Sequence, residues 1–171
     1  MTAPKWLVLT WRLPATASST PRVATWRNLQ RLGAVSLTPG SAILPYNEHL
    51  LEQLEWIAED IVQRSGDAYV LPVTELPEAD EEAIRRRMKR AREVEYEELQ
   101  EGAEALAGRM ARTDLMALEG PERLQLDREL AALDRGLARV AKRDHFASTR
   151  RGRAERAIKQ LRRYRPKEAP E

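Results

Sequence analysis

Cysteine is absent from the chain. Disulfide frameworks, thiol nucleophiles and zinc–thiolate sites are therefore excluded. Histidine is nearly absent, and the two that occur, His49 and His145, are isolated from each other in sequence. Each reads as a solvated helix or junction residue, so no metal site is expected. Glycine is scarce at 8 residues, and no P-loop, dinucleotide fingerprint or Ser-His-Asp signature occurs. No stretch approaches the roughly 20 apolar residues of a membrane span. The apolar run near the N-terminus has no small-residue cleavage site behind it and reads as a strand, not a signal peptide. These absences set the expectation of a cytoplasmic protein with no cofactor and no membrane partner, and of a binding protein rather than an enzyme.

What the chain does contain is unevenly distributed. Hydrophobic residues make up 42%, enough for a core, and charged residues 33%, above an ordinary share of about 25%. The net charge is only +2, so the total does not imply nucleic acid, but its placement matters. All four tryptophans (Trp6, Trp11, Trp26 and Trp56) lie in the first third.

Lys5 to Arg12 is almost continuously apolar, as in a central strand, and Pro14 ends it. After a Ser/Thr-rich loop, Thr20 is the expected helix N-cap with Pro21 at the first helical position. The helix runs through Val23, Trp26, Leu29 and Leu32 to a stop at Gly33. Ala34 to Thr38 and Ser41 to Leu44, separated by Pro39 and Gly40, predict a hairpin. Asn47 is the expected cap of a second helix, whose apolar stripe is Leu50, Leu51, Leu54, Ile57, Ala58 and Ile61. Ala68 to Val73 is the fourth strand. The order β-α-β-β-α-β predicts an α+β, ferredoxin-like domain over residues 1–76.

Composition changes after Pro77. A helical extension is expected over 77–165, with a disordered tail at 166–171. Ile84, Met88, Ala91, Val94, Leu99, Ala103, Leu106 and Met110 trace one long helix that Gly102 and Gly108 should weaken or break. Gly120-Pro121 restarts a helix. Leu126, Leu130, Leu133, Leu137 and Val140 then form an a/d seam of two heptads, suited to packing on the preceding helix. A last helix is expected from Ser148 to Tyr164. Glu93, Glu95, Glu97 and Glu98, around Tyr96, read as a solvated, salt-bridged face.

The C-terminal end is strongly basic. Between Lys142 and Lys167 eleven Lys or Arg residues stand against Asp144 and Glu155 alone. Arg150, Arg151, Arg153, Arg156, Lys159, Arg162, Arg163 and Arg165 are the nucleic-acid-binding candidates. Arginine suits bidentate phosphate contacts. Ala154, Ala157, Ile158, Leu161 and Tyr164 fall on one stripe that would dock on the helical bundle. Three readings stay open: a phosphate-binding surface, a solubilising helix that balances the acidic long helix, and a membrane-surface helix, which the small apolar face disfavours. Metal-dependent nuclease chemistry is not expected, because Arg12 ends the first strand where a carboxylate would have to hold the cation.

The segments Trp6–Pro14 (WLVLTWRLP), Arg22–Ala34 (RVATWRNLQRLGA), Ser41–Pro45 (SAILP) and Ala91–Leu99 (AREVEYEEL) occur in this order. Together they make the first hundred residues resemble the N-terminal domain of the ChrB family, the regulators of bacterial chromate resistance. The pattern is looser in the phenylacetate-degradation repressors. The resemblance implies a transcriptional regulator of chromate efflux genes that binds DNA. It also suggests a packing role for Tyr96 against the sheet domain. Family members carry a second, chromate-responsive domain, so this chain reads as a stand-alone N-terminal unit. No helix-turn-helix precedes the sheet, and DNA contact is expected from Arg-rich surfaces instead. Chromate is a small dianion, and Arg12, Arg22 and Arg27, near a helix start, are the oxyanion-binding candidates. A homodimer through exposed sheet edges is expected. The rival reading is a protein-interaction module without a DNA role, partnering a separate protein of the ChrB C-terminal type.

Overall fold

The structure is a computed structural model, and it describes residues 3–14, 19–113 and 120–164. It divides into two compact units, 1–88 and 89–171.

In the first unit β1 (Trp6–Arg12) leads to α1 (Ser19–Leu32). The helix starts one residue before the expected cap at Thr20. Pro21 thus lies in the first turn, where its missing N–H was unpaired anyway. Gly33 ends α1 in the left-handed region, at φ 85°. The Ala34 N–H donates to the Leu29 carbonyl at 3.1 Å and the Gly33 N–H to Gln30 at 3.0 Å, a Schellman closure. The hairpin of β2 (Val35–Thr38) and β3 (Ser41–Pro45) follows. Its Gly40 has φ 79°, and a Cβ there would sit 2.5 Å from the Trp11 carbonyl oxygen. Only glycine fits both demands. Asn47 caps α2 (Glu48–Gln63) by accepting the N–H groups of His49 and Leu50 at 2.9 and 3.3 Å. β4 (Asp67–Val73) completes the unit's sheet.

The sheet order is β2-β3-β1-β4 with every pairing antiparallel. β1 is central, which explains its near-continuous apolar sequence. β4 is an edge strand, and an edge strand tolerates Pro72. Leu7 and Leu9 of β1, Ala42 and Leu44 of β3, Leu29 of α1 and Leu50, Leu54 and Ile61 of α2 form one buried cluster. Both helices therefore cover one sheet face. The alternation of β1 and β3 sends Trp6 and Ile43 to the other face, and both are buried.

That second face is covered in part by the start of α3 (Glu78–Met110). Ile84 and Met88 are buried. The Arg85 guanidinium lies 5.6 Å from the Trp6 ring centroid, a cation–π contact. Arg87 donates to the Ser36 carbonyl at 2.5 Å. The helix begins where the composition changes, but these contacts make its first turns part of the sheet unit.

The second unit holds the rest of α3 with α4 (Gly120–Lys142) and α5 (Arg151–Tyr164). Contrary to expectation, α3 does not break at Gly102 or Gly108. A Cβ on Gly102 would lie 3.3 Å from Leu133, and one on Gly136 of α4 2.7 Å from Leu99. The close approach that these glycines permit outweighs their weak helix propensity. The α4 seam packs as its spacing predicts: Leu126, Leu130, Leu133 and Leu137 meet Ala103, Leu106 and Met110 of α3. The last helix starts three residues later than expected, because Ser148 to Arg150 form its lead-in turn.

Candidate nucleic-acid interface

α5 is positioned by its apolar stripe. Ala154, Ile158 and Leu161 are buried and Ala157 partly so, packed on α3 and α4. The entry into α5 is fixed by a polar junction. Ala147 takes a φ of 52°. Both carboxylate oxygens of Asp144 accept the Ser148 N–H at 3.0 Å. Asp144 also accepts from the Tyr96 hydroxyl at 3.2 Å. Tyr96 is fully buried beside Val140 and Ala154. Its packing role is therefore against α4 and α5, which corrects the expectation that it serves the sheet. Burial pushes its phenol up to about 12, and the neighbouring Asp144 carboxylate adds to the shift.

Next to this junction lies an ionic cluster. Glu95 sits between two guanidinium groups: Arg143 donates to it at 2.8 Å, and Arg92 Nε lies 2.9 Å away as an ion pair. The Arg92 hydrogen bond to this carboxylate runs from Nη2 to Glu95 Oε1 at 3.4 Å, whereas Arg92 Nε and Glu95 Oε2 are a close ion pair without hydrogen-bond alignment. Desolvation lowers the Arg92 pKa, with Glu95 opposing it. Glu97 pairs with Arg150 at 2.9 Å, and Thr149 donates to Glu93 at 3.3 Å. Glu93, Glu95 and Glu97 are ion-paired as expected, Glu98 is exposed without an ion pair among the described residues, and Glu95 is largely withdrawn from solvent.

The predicted basic candidates divide into two sets. Arg150 pairs with Glu97, Arg151 with Glu155 at 2.8 Å, and Arg162 with Asp134 at 2.6 Å. Their charge is compensated within the unit. Arg153, Arg156 and Lys159 are exposed, and no ion pair holds them among the described residues. At spacings of three they share the face of α5 opposite its buried stripe. The Arg163 side chain and Arg165 lie outside the described residues.

Sequence reasoning missed a second set. Arg128, Arg135, Arg139 and Lys142 on α4 are all exposed. The signal was available: their separations of seven, four and three are those of one helix face. The acids interleaved with these residues leave α4 with little net charge, so the face shows only in the spacing.

The oxyanion candidates are all exposed, and two of them do not share a helix face. Arg12 is exposed, and its Nε and Nη2 both donate to one oxygen of Asp67, at 3.2 and 2.8 Å. The shallow cavity beside it is lined by Thr10, Trp11, Arg12, Asp67 and Tyr69. Arg22 and Arg27 are exposed on α1, and a separation of five residues turns them about 140° apart. No helix among the described residues is long and apolar enough to cross a membrane.

A family model described as Protein ChrB, N-terminal, matches residues 22–166. The chain belongs to this ChrB N-terminal family. It is similar to Protein ChrB of Cupriavidus metallidurans, 30% identical over 150 residues, which are 88% of this chain and 43% of that relative. The chain therefore spans less than half the length of the relative. No solved structure matches it. The ChrB N-terminal match runs through α4 and α5.

Proposed function

We propose that this chain is a chromate-resistance regulatory protein that binds DNA through Arg-rich helix surfaces and has no catalytic role. The observation that carries this is the outward face of α5, where Arg153, Arg156 and Lys159 are exposed and unpaired among the described residues. Uncompensated side-chain cations on a rigid helix are what a phosphate backbone recruits. Chromate enters from the family, and Arg12, Arg22 and Arg27 remain the proposed oxyanion contacts, with Asp67 as the competitor for Arg12 and with Arg22 and Arg27 serving different anions, since they do not share a helix face. The ferredoxin-like description of the first unit is supported by its pairing: read from β4, the order is β4-β1-β3-β2, and each helix crossover straddles one strand. A regulator of this kind works in the cytoplasm.

A second reading, a protein-interaction module, is favoured by the exposed apolar side chains of the sheet unit. Trp56 and Val62 on α2 and Tyr69 and Leu71 on β4 are all open to solvent. A groove between α2 and β4, lined by Ala58, Val62, Ala68 and Val70 with Glu55 and Glu59, lies beside them.

The test is fluorescence anisotropy against duplex DNA from the gene's own upstream region, at low and moderate salt, with and without chromate. Salt-sensitive binding that chromate weakens is the expected result. Absence of binding at both salts rejects the DNA reading and leaves the interaction module.

A further inference from the structure

We infer that α4 carries a second phosphate-binding track, formed by Arg128, Arg135, Arg139 and Lys142, separate from the cationic face of α5. This rests on the nucleic-acid reading for its ligand class, a duplex backbone.

At about 100° per residue the four side chains lie within about 60° of one another. They occupy the side of α4 away from its buried residues Leu130, Gly136 and Val140. Fourteen residues separate the first from the last, a span of about 21 Å. Over that length a duplex presents about six base pairs, with phosphates on both strands.

No ion pair holds the four track residues among the described residues, and two acids of α4 are engaged by other helices. Glu129 is turned toward α3, where it pairs with Arg109. Asp134 is turned toward α5, where it pairs with Arg162 at 2.6 Å. Asp127 is half-buried and lines the cleft that holds Asp134 and Arg162. The same bridges that tie α4 to its two neighbours remove negative charge from its outward face. Along that face Arg135 and Arg139 are i,i+4 neighbours and Arg139 and Lys142 i,i+3 neighbours, arrangements of like charge that weaken a helix. A bound polyanion turns the repulsion into attraction. No base-reading geometry is implied, because exposed Arg and Lys along a helix side supply backbone contacts without sequence information.

The experiment compares three proteins on a labelled mixed-sequence duplex of about 20 base pairs, titrated from about 50 to about 200 mM KCl. They are the unaltered chain, an α4 variant with Arg128, Arg135, Arg139 and Lys142 each changed to Gln, and an α5 variant with Arg153→Gln, Arg156→Gln and Lys159→Gln. Circular dichroism checks that helix content is kept. The α4 variant should show a log–log salt slope shallower by about 3–4, so the unaltered chain loses about 100-fold more affinity over this range. The α5 variant should lose slope independently, and the two losses should add. A further α4 variant with Arg128→Lys, Arg135→Lys and Arg139→Lys should keep the full slope, since the track acts through charge. If the unaltered chain binds and the α4 Gln variant keeps its slope, the α4 track is refuted while DNA binding through α5 stands. If the unaltered chain does not bind the duplex, the DNA reading and the track fall together.

Discussion

The two units of this chain are held by different physics. The sheet unit is built around an apolar layer in which Leu7, Leu9, Leu29, Leu54 and Ile61 are fully or almost fully buried. Its ion pairs lie at its surface, both the local i,i+4 pairs Arg64–Asp60 and Arg85–Glu81 and the cross-strand pair Arg12–Asp67. The helical unit has a thinner apolar seam and adds charge where the sheet unit adds leucine. Glu95, Arg92, Arg143, Tyr96 and Asp144 join α3 to the α4–α5 junction largely out of solvent. The contrast teaches that the first unit should be indifferent to salt and pH over the range in which the second responds. A unit with a small core and many charges can leave outer faces basic where acids such as Glu95, Glu129 and Asp134 are engaged by neighbouring helices.

The largest expected effect lies in the sheet unit. Leu9→Ala removes a fully buried side chain from the central strand and should cost about 2–5 kcal/mol in denaturant unfolding. An effect below about 1 kcal/mol would mean that the layer collapses around the gap and that the contrast is overstated.

Glu95→Gln comes next. It leaves two guanidinium groups facing each other with little solvent, and should destabilise by about 2–3 kcal/mol, less than a fully buried pair because all three side chains keep some exposure. Added salt should recover part of this loss in the variant, and should leave Leu9→Ala unmoved.

Tyr96→Phe should cost about 1 kcal/mol near neutral pH, the worth of one hydrogen bond to Asp144. Its sharper signature is pH. The folded pKa of Tyr96 is raised to about 12, against about 10 for a free tyrosine. The stabilisation is therefore fully present below about 10 and disappears as pH rises through about 12. The stability difference between the native chain and Tyr96→Phe, followed by unfolding at stepped pH, should shrink across that window. A constant difference would show that the phenol is not held neutral by the fold.

The smallest effect belongs to Arg162→Gln. The bridge to Asp134 is substantially exposed on both sides, and the change should cost less than about 1 kcal/mol. Its use is electrostatic: freeing Asp134 adds an uncompensated acid beside the α4 track, so duplex affinity should fall more than stability does.

Most of the first unit was legible in the sequence because its signals are local. Leu-rich stripes at helical spacing, Gly33, the Pro39–Gly40 turn and the Asn47 cap each act through the few residues beside them. The a/d seam of α4 was legible for the same reason. The continuity of α3 was not. Gly102 lowers helix propensity in any sequence-based account, and only the apposition of Leu133 shows that it is a packing position. Tyr96 was visible as an element of the family pattern, but its partners lie about fifty residues away at Val140, Asp144 and Ala154.

The basic surface shows the same division. Sequence alone determined that positive charge accumulates after Lys142 and that α5 has an apolar side and a charged side, because both follow from composition and a period of 3.6. Which cations are free was decided by tertiary structure. Arg150 and Arg162 meet carboxylates of other helices and Arg151 meets Glu155 one turn along α5, whereas Arg153, Arg156, Lys159 and the α4 set meet none among the described residues. A charge count weighs every arginine equally. Folding brings some of them within about 3 Å of an acid contributed by another helix, and at that distance the field they present to a partner is largely cancelled.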